Sequence, residues 1–316
     1  MRAYLIKRLL QMVPVLLVLT FLVFSLLLLI PGDPIRAIIG SSEALDAQQR
    51  EILRKELHFD KPIPVQYGIW LGKTVRGDFG NSNHTKRAVI KELKDRFPVT
   101  LELGFLAWIL SIVIALPAGI ISAVKRGSKA DFVATLLSIG GVAIPGFFLG
   151  ILLILLFGVI LGWLPTYGYA SIFSDPLKGI RYQLLPAISL GLAGAAMNMR
   201  QIRSSMLEVL AQDYIRTARA KGLTENMVIW LHALKNALLP VVTIMGLQFG
   251  RLVGGSVVIE TLFSIPGMGR LIVDSIFQKD FPVVQACVLI MALAVLIANL
   301  ITDMLYAYLD PRIRYD

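Results

Sequence analysis

RQIRSSMLEVLAQDYIRTARAKGLTENMVIWLHALKNALLP, residues 200–240, is a charged, helix-forming stretch set between two apolar runs. Leu207, Leu210, Tyr214 and Ala218 recur at helical spacing on one face while Gln212, Arg216 and Arg219 fall on another, the pattern of an amphipathic helix at a membrane surface. Gly222 is placed to end that helix. Thr224 can cap a second one reaching Leu234, with Glu225 in the first turn, where the positive end of the helix dipole favours an acid. The reading predicts two short helices joined at a glycine, a rigid polar knob between two membrane spans. The competing reading is a solvated amphipathic loop resting on lipid headgroups.

The sequence around this stretch has 56% hydrophobic and 16% charged residues, with a mean hydropathy of +0.72, outside the range of ordinary soluble domains. A helix crossing a hydrocarbon core of ~30 Å needs ~20 predominantly apolar residues. Charge-free runs of that order occur at 9–30, 103–124, 132–161 and 281–302. Two weaker runs, the short Gly/Ala-rich 184–199 and 237–259 with its single Arg251, join them on consistent sides. The expectation is an all-α polytopic membrane protein with six transmembrane helices and both termini on one side.

Basic residues fix that side, because short cytoplasmic loops are enriched in Lys and Arg. The N-terminal tail, the 125–129 turn, the 200–235 loop and the C-terminal tail together hold fourteen, against four in the short loops opposite (Lys178, Arg181, Arg270 and Lys279). Both termini, and the knob, are expected in the cytoplasm. The net charge of +10 is then largely an orientation signal, so no nucleic-acid partner is expected and lipid is the bulk contact. The N-terminal apolar run is too long for a signal peptide and reads as an uncleaved first helix. Cys287 is the single cysteine and lies within the last span, where it reads as a small hydrophobe.

Residues 31–98 form a long outer segment. PGDPI at 31–35 stops the first helix, 46–58 and 88–96 have helical composition, and 61–82 mixes turn signals with aromatics, which together predict a small helical extracytoplasmic cap. The 132–161 run is too long for one straight crossing, since thirty residues would reach ~45 Å. Gly140, Gly141, Pro145 and Gly146 predict a kink or tilt with close helix contact. A short outer helix is expected after Pro266 and Gly267.

Nothing in the chain carries enzyme chemistry. It has no phosphate-binding loop, no HExxH, no paired cysteines and no GxSxG, and His58, His84 and His232 are divided between the two sides of the membrane. No catalytic residue, metal or cofactor is expected, and any ATP hydrolysis would belong to another chain.

The order RTA, three residues, Gly, then a later Leu-Pro resembles the EAA loop of ABC importer permeases. Arg216, Thr217 and Ala218 stand at the Glu-Ala-Ala positions and Gly222 at the glycine, and the interval to Pro240 is longer than the common pattern. RTARAKGL with the longer run to HALKNALLPV is similar to the peptide and nickel branch of these permeases, specifically the first of its two membrane subunits. The resemblance extends through RLLQMVPVLLVLTFLVFSLL, PGDP, PVQYGIWLGKTVRGDFGNS, FPVTLELG, TLFSIPGMGRL, DFPVVQA and DPRIR, nearly the whole chain. It implies the type I importer permease fold and three parts: 1–30, the tail and first helix; 31–98, the cap segment; and 99–316, a core of five transmembrane helices including the coupling loop 200–236. It further implies a homologous second permease subunit, two cytoplasmic ATPase subunits and an extracytoplasmic substrate-binding protein. Arg216, Thr217, Ala218, Gly222, Leu223, Thr224, Glu225, Asn226, His232 and Pro240 would then form the ATPase-coupling loop. The cargo implied is a dipeptide or oligopeptide, with glutathione, nickel chelates and oligosaccharides as alternatives inside the family and an ion-coupled secondary transporter outside it.

Substrate would cross between the two permeases, lined by small or polar residues of the last three spans, with Asn198, Gln248, Arg251 and Asn299 as candidates. A cation inside a span is costly and faces a cavity or an acid by default. For Arg251 a substrate carboxylate or gating pair competes evenly with a structural pair, Asp303 being one partner, or a guanidinium snorkelling to the interface. Glu260 and Arg270 near the outer mouth are candidates to meet the binding protein, against the plainer reading of solvated loop charges.

Overall fold

The computed structural model describes residues 2–28, 48, 51, 52, 55, 58 and 60–309. Helix dominates throughout, and the only β pairing among the described residues is an isolated bridge between Asn81 and Ala88. The helices are α1 (Arg2–Leu28), α2 (Ile63–Val75), α3 (Val89–Val124), α4 (Lys129–Ala143), α5 (Gly146–Leu153, continued by a π-helical segment Ile154–Ile160), α6 (Pro176–Leu210), α7 (Asp213–Ala220), α8 (Leu234–Gly255), α9 (Val257–Leu262), α10 (Met268–Phe277) and α11 (Phe281–Leu309). Three continuous helical stretches are long and apolar enough to cross a membrane, Val89–Val124, Glu225–Leu252 and Phe281–Met304, and the bent pair α4–α5 makes a fourth if counted as one span. The other two expected crossings fall on α1, whose apolar part is Leu10–Ser25, and on α6. The PGDPI stop and most of the 46–58 helix lie outside the described residues.

The chain divides into two compact units. The described residues of one are 100–265 and 294–309. At its centre is α6, which packs against α4, α5 and α8. Small residues allow the close crossings. A methyl on Gly191 of α6 would lie 2.5 Å from the Ala107 carbonyl oxygen of α3, and one on Gly246 of α8 would lie 2.4 Å from Cγ2 of Thr302 on α11. Apolar side chains on the outside of α4 and α5, including Phe132, Leu136, Leu137, Ile151, Leu155 and Val159, are exposed, a surface suited to lipid rather than water.

The expected break in the third crossing is present. The chain turns by 106° between α4 and α5 at Ile144 and Pro145. Proline ends a helix at the residue before it, and Ile144 is extended (ψ 121°). Gly146 and Gly141 then let the two arms approach α6 at Ser189 and Ala196.

The described residues of the second unit are 2–28, 48, 51, 52, 55, 58, 60–99 and 266–293. Within the 61–82 stretch of mixed turn signals and aromatics, 63–75 is the regular helix α2. Those aromatics pack on α1: the Tyr67 ring meets Phe21 edge-on at 5.5 Å and Phe24 at 5.6 Å, and its hydroxyl shares a 2.8 Å hydrogen bond with Thr20. The helix-like 88–96 stretch is no separate cap element, because α3 begins at Val89 and continues unbroken. The short helix after Pro266 and Gly267 is α10. Asp280, almost wholly buried, accepts from the Ser82 hydroxyl and, at 3.0 Å, from the Asn83 amide, so the 82–85 turn is tied to the start of α11.

Candidate coupling site

The knob begins where α6 stops at Leu210. Ala211 and Gln212 break the helix, and α7 restarts at Asp213, so the amphipathic helix expected through 207–218 is two helices rather than one. The break changes which residues share a face. Ile215 and Ala218 are buried, while Tyr214 stands exposed.

Gly222 adopts φ +78°, the left-handed conformation that glycine reaches without a Cβ penalty, and the chain reverses there. Backbone bonds close the turn: Lys221 N to Thr217 O at 3.1 Å and Gly222 N to Arg219 O at 2.9 Å. Thr224 occupies the N-cap position but its side chain makes no capping bond. Instead, Arg219 Nε donates to Glu225 Oε1 at 2.7 Å and Nη2 to Oε2 at 3.3 Å, bridging the two arms of the knob.

The second arm does not end at Leu234 as expected. A helical turn Glu225–Met227, the π-helical segment Val228–Ala233 and α8 follow one another without a break, so that Glu225–Leu252 is one continuous rod. The π segment lies within the knob's second arm and Pro240 follows just beyond it, two departures from a regular α-helix on the way into the span. The Tyr214 hydroxyl accepts from Asn236 Nδ2 at 2.8 Å and lies 3.4 Å from the His232 carbonyl oxygen to which it donates, fastening α7 to the foot of α8.

One apolar core roots the knob in the spans. Ile215, Ala218, Val228, Ile229 and Ala233 pack with Ile120 and Ala123 of α3, with Met199, Ile202 and Met206 of α6, and with Ala237, Val241 and Met245 of α8. Ile202, Met206, Ile215, Val228, Ala233 and Val241 are fully buried. The opposite side of the knob carries Arg216, Asn226, Met227, Trp230 and Leu231, all exposed. Leu223 and His232 are half-buried, and Thr217, Thr224, Glu225 and Pro240 are exposed.

A second device at the same end was not anticipated. Arg203 of α6 donates to both carboxylate oxygens of Asp131, Nε to Oδ1 at 2.8 Å and Nη2 to Oδ2 at 2.9 Å. Asp131 also accepts from the Ser122 hydroxyl and from the Gly127 amide at 3.0 Å. This clasp holds the α3–α4 turn against α6, close in sequence to the knob. The signal was available: Ser128-x-x-Asp131 is a capping-box pattern, and the Asp131 amide does donate to the Ser128 hydroxyl at 3.3 Å.

Of the pathway candidates, Asn198 and Gln248 are brought together. Asn198 Nδ2 donates to Gln248 Oε1 at 2.7 Å, and Gln248 Nε2 to the Gly194 carbonyl at 3.3 Å, all of them buried or half-buried between α6 and α8. Asn299 of α11 is half-buried beside Gly250. Arg251 is exposed and forms no ion pair among the described residues, so the pairing with Asp303 weighed from the sequence is not made.

The placement of Glu260 as an outer-mouth contact is corrected: the residue is fully buried and accepts from the hydroxyls of Thr100 and Ser256, each at 2.7 Å. Arg270 pairs with Asp274 one turn away at 3.6 Å.

Among the described residues, helices long and apolar enough to cross a membrane, a bent third crossing and a polar two-armed knob rooted in three spans mark a membrane-embedded protein. Residues 115–315 match the family described as the binding-protein-dependent transport system inner membrane component, and residues 1–104 match the corresponding N-terminal membrane component. The chain belongs to this family. It is a permease subunit of an ABC importer of the dipeptide, oligopeptide and nickel type, a multi-pass protein of the inner membrane. Among curated relatives, the glutathione transport system permease protein GsiC of Escherichia coli (strain K12) is 44% identical over 312 residues, 99% of each chain. The protein of the same name from Shigella flexneri serotype 5b is 43% identical over the same length. Among solved structures, an inward-facing form of the MetNI methionine ABC transporter superposes with a TM-score of 0.58 at 20% identity, covering 69% of this chain and 96% of that one. That likeness concerns the fold.

Proposed function

We propose that this chain forms half of the translocation pathway of a peptide importer and that the knob 213–236 is the surface on which an ATPase subunit docks. The observation that carries this reading is the rooting of the knob: its buried face is continuous with α3, α6 and α8, while its other face is exposed. A push on the exposed face is therefore delivered to three spans at once. Closure of the ATPases on ATP would rock those spans as a rigid body between inward-open and outward-open forms. A homologous second permease would complete the pathway, and a binding protein would deliver cargo to the side opposite the knob.

Glutathione or another short peptide is the proposed cargo, supported by the glutathione transport named for relatives that match end to end. Asn198, Gln248 and Asn299 supply amide groups, and Arg251 a cation, of the kinds that peptide carbonyls and carboxylates pair with. The test is ATP-driven uptake of labelled glutathione and of labelled dipeptides by the complete transporter in proteoliposomes, with its binding protein present. Saturable uptake of either class supports the reading, whereas uptake of nickel chelates or oligosaccharides alone would refute it.

A further inference from the structure

The end of α6 remote from the knob borders an open cavity of about 540 Å³, lined among others by Trp163, Asp175, Leu177, Lys178, Arg181 and Tyr182. The coupling reading does not use it. Its height in the membrane follows from the helix beside it. The segment Ile154–Ile160 leaves Leu155, Val159 and Ile160 exposed, an apolar wall, and the chain turns away at Gly162 (φ +64°) directly into the cavity. The cavity therefore opens where the hydrocarbon ends. Trp163 and Tyr182 at its edge are the residue types that favour that level.

Lys178 and Arg181 lie three residues apart on α6, hence on one face, and both are exposed. Neither forms an ion pair among the described residues. Arg181 Nη2 donates to the Trp163 carbonyl at 3.3 Å, which aims the guanidinium across the cavity and leaves other donors of its fork for a ligand.

The walls are fixed in place. Trp163 N donates to Phe157 O at 2.9 Å, and a methyl on Gly179 would lie 2.6 Å from the Ile172 backbone, so the first turns of α6 sit directly on the 171–172 loop. That loop is in turn held by Glu102, which accepts from Tyr169 at 2.7 Å and Ser171 at 2.9 Å. Burial, with the Glu102 contact adding to it, pushes the Tyr169 hydroxyl up to about 12, so it remains a donor at any physiological pH.

We propose that this cavity binds the headgroup of a phospholipid in the leaflet opposite the knob, with the phosphodiester held between Lys178 and Arg181 and the acyl chains lying on Leu155 and Val159. Asp175 on the same rim offers a counter-charge to an amine, which favours phosphatidylethanolamine over phosphatidylglycerol.

The test uses the full chain in its assembled transporter, delipidated in detergent and titrated with short-chain phosphatidylethanolamine, bound lipid being counted by native mass spectrometry. Lys178→Ala with Arg181→Ala should weaken the tightest lipid site about tenfold or more, each cation near a headgroup being a substantial part of the attraction. Lys91→Ala with Lys94→Ala, which removes two exposed cations elsewhere, should leave that site unchanged. Asp175→Asn should narrow the preference for phosphatidylethanolamine over phosphatidylglycerol. Equal weakening by both double variants, or none by the first, would overturn the proposal. Displacement of the lipid by glycerophosphoethanolamine at equal concentration would also overturn it, by showing a site for soluble phosphate compounds. Should Lys178→Ala with Arg181→Ala fail to assemble, Arg181→Gln alone is read in the same way.

Discussion

Arg219 and Glu225 clasp one another across the Gly222 turn through two hydrogen bonds, at 2.7 and 3.3 Å, and so close the knob on its solvent side. Both side chains are substantially exposed, which makes the pair a weak stabiliser, worth about 0.2–1 kcal/mol. Its effect should appear in coupling. Glu225→Gln is expected to leave the melting temperature within about 2 °C of the parent, while reducing uptake per ATP hydrolysed in proteoliposomes. An unchanged transport-to-hydrolysis ratio would show that the clasp does not stiffen the knob.

Gly222 should discriminate among substitutions by backbone conformation alone. At φ +78° with open space where a Cβ would project, the cost is that of the left-handed region, about 1–2 kcal/mol. Gly222→Asn should be the mildest replacement and Gly222→Val the most damaging, as read by thermal unfolding of the purified chain in detergent.

Ile215 tests the root of the knob. It is fully buried in the shared core, so Ile215→Ala should cost about 2–5 kcal/mol. Because the loss falls on the knob, membrane insertion should persist while the amount of ATPase retained on purification drops. Normal retention with a lowered melting temperature would indicate that the knob core is merely structural.

The Asp131–Arg203 clasp is only partly exposed and bidentate, which places it between surface and buried pairs. A double-mutant cycle with Asp131→Asn and Arg203→Gln should give a coupling energy above about 1 kcal/mol. Additive losses would mean that the two groups are held in place independently.

Gly191 should tolerate no side chain at all. Its α-carbon faces the Ala107 carbonyl so closely that Gly191→Ala forces α3 and α6 apart, for an expected loss of about 1–3 kcal/mol in thermal unfolding. A neutral substitution would contradict the tight crossing.

Much of this was legible in the residues because breakers act locally. Gly222 and Pro145 each dictate a backbone conformation on their own, and both the turn and the bend are where they were expected. Helix ends inside polar sequence were not legible. Nothing between Glu225 and Leu252 forbids a helix except Pro240, so the chain runs through the expected boundary at Leu234, since polarity marks where a helix leaves the membrane and not where it stops. The break at Ala211 and Gln212 has no glycine or proline to announce it, and it exposed Tyr214 where periodicity had placed it beside Ala218. Glu260 was misplaced because burial of a carboxylate depends on donors distant in sequence, here Thr100, that one chain read in order does not bring together.

The proposed docking of an ATPase on the exposed face of the knob can be read at Asn226. Asn226 is exposed, and the native Cys287 is fully buried, so a cysteine at 226 can be labelled selectively. The full transporter carrying Asn226→Cys, treated with a short photoactivatable thiol cross-linker, is expected to yield a covalent adduct with the ATPase subunit whose yield changes on adding ATP with vanadate. Adducts with lipid or with the partner permease alone, in a complex that still hydrolyses ATP and transports, would exclude docking on this face.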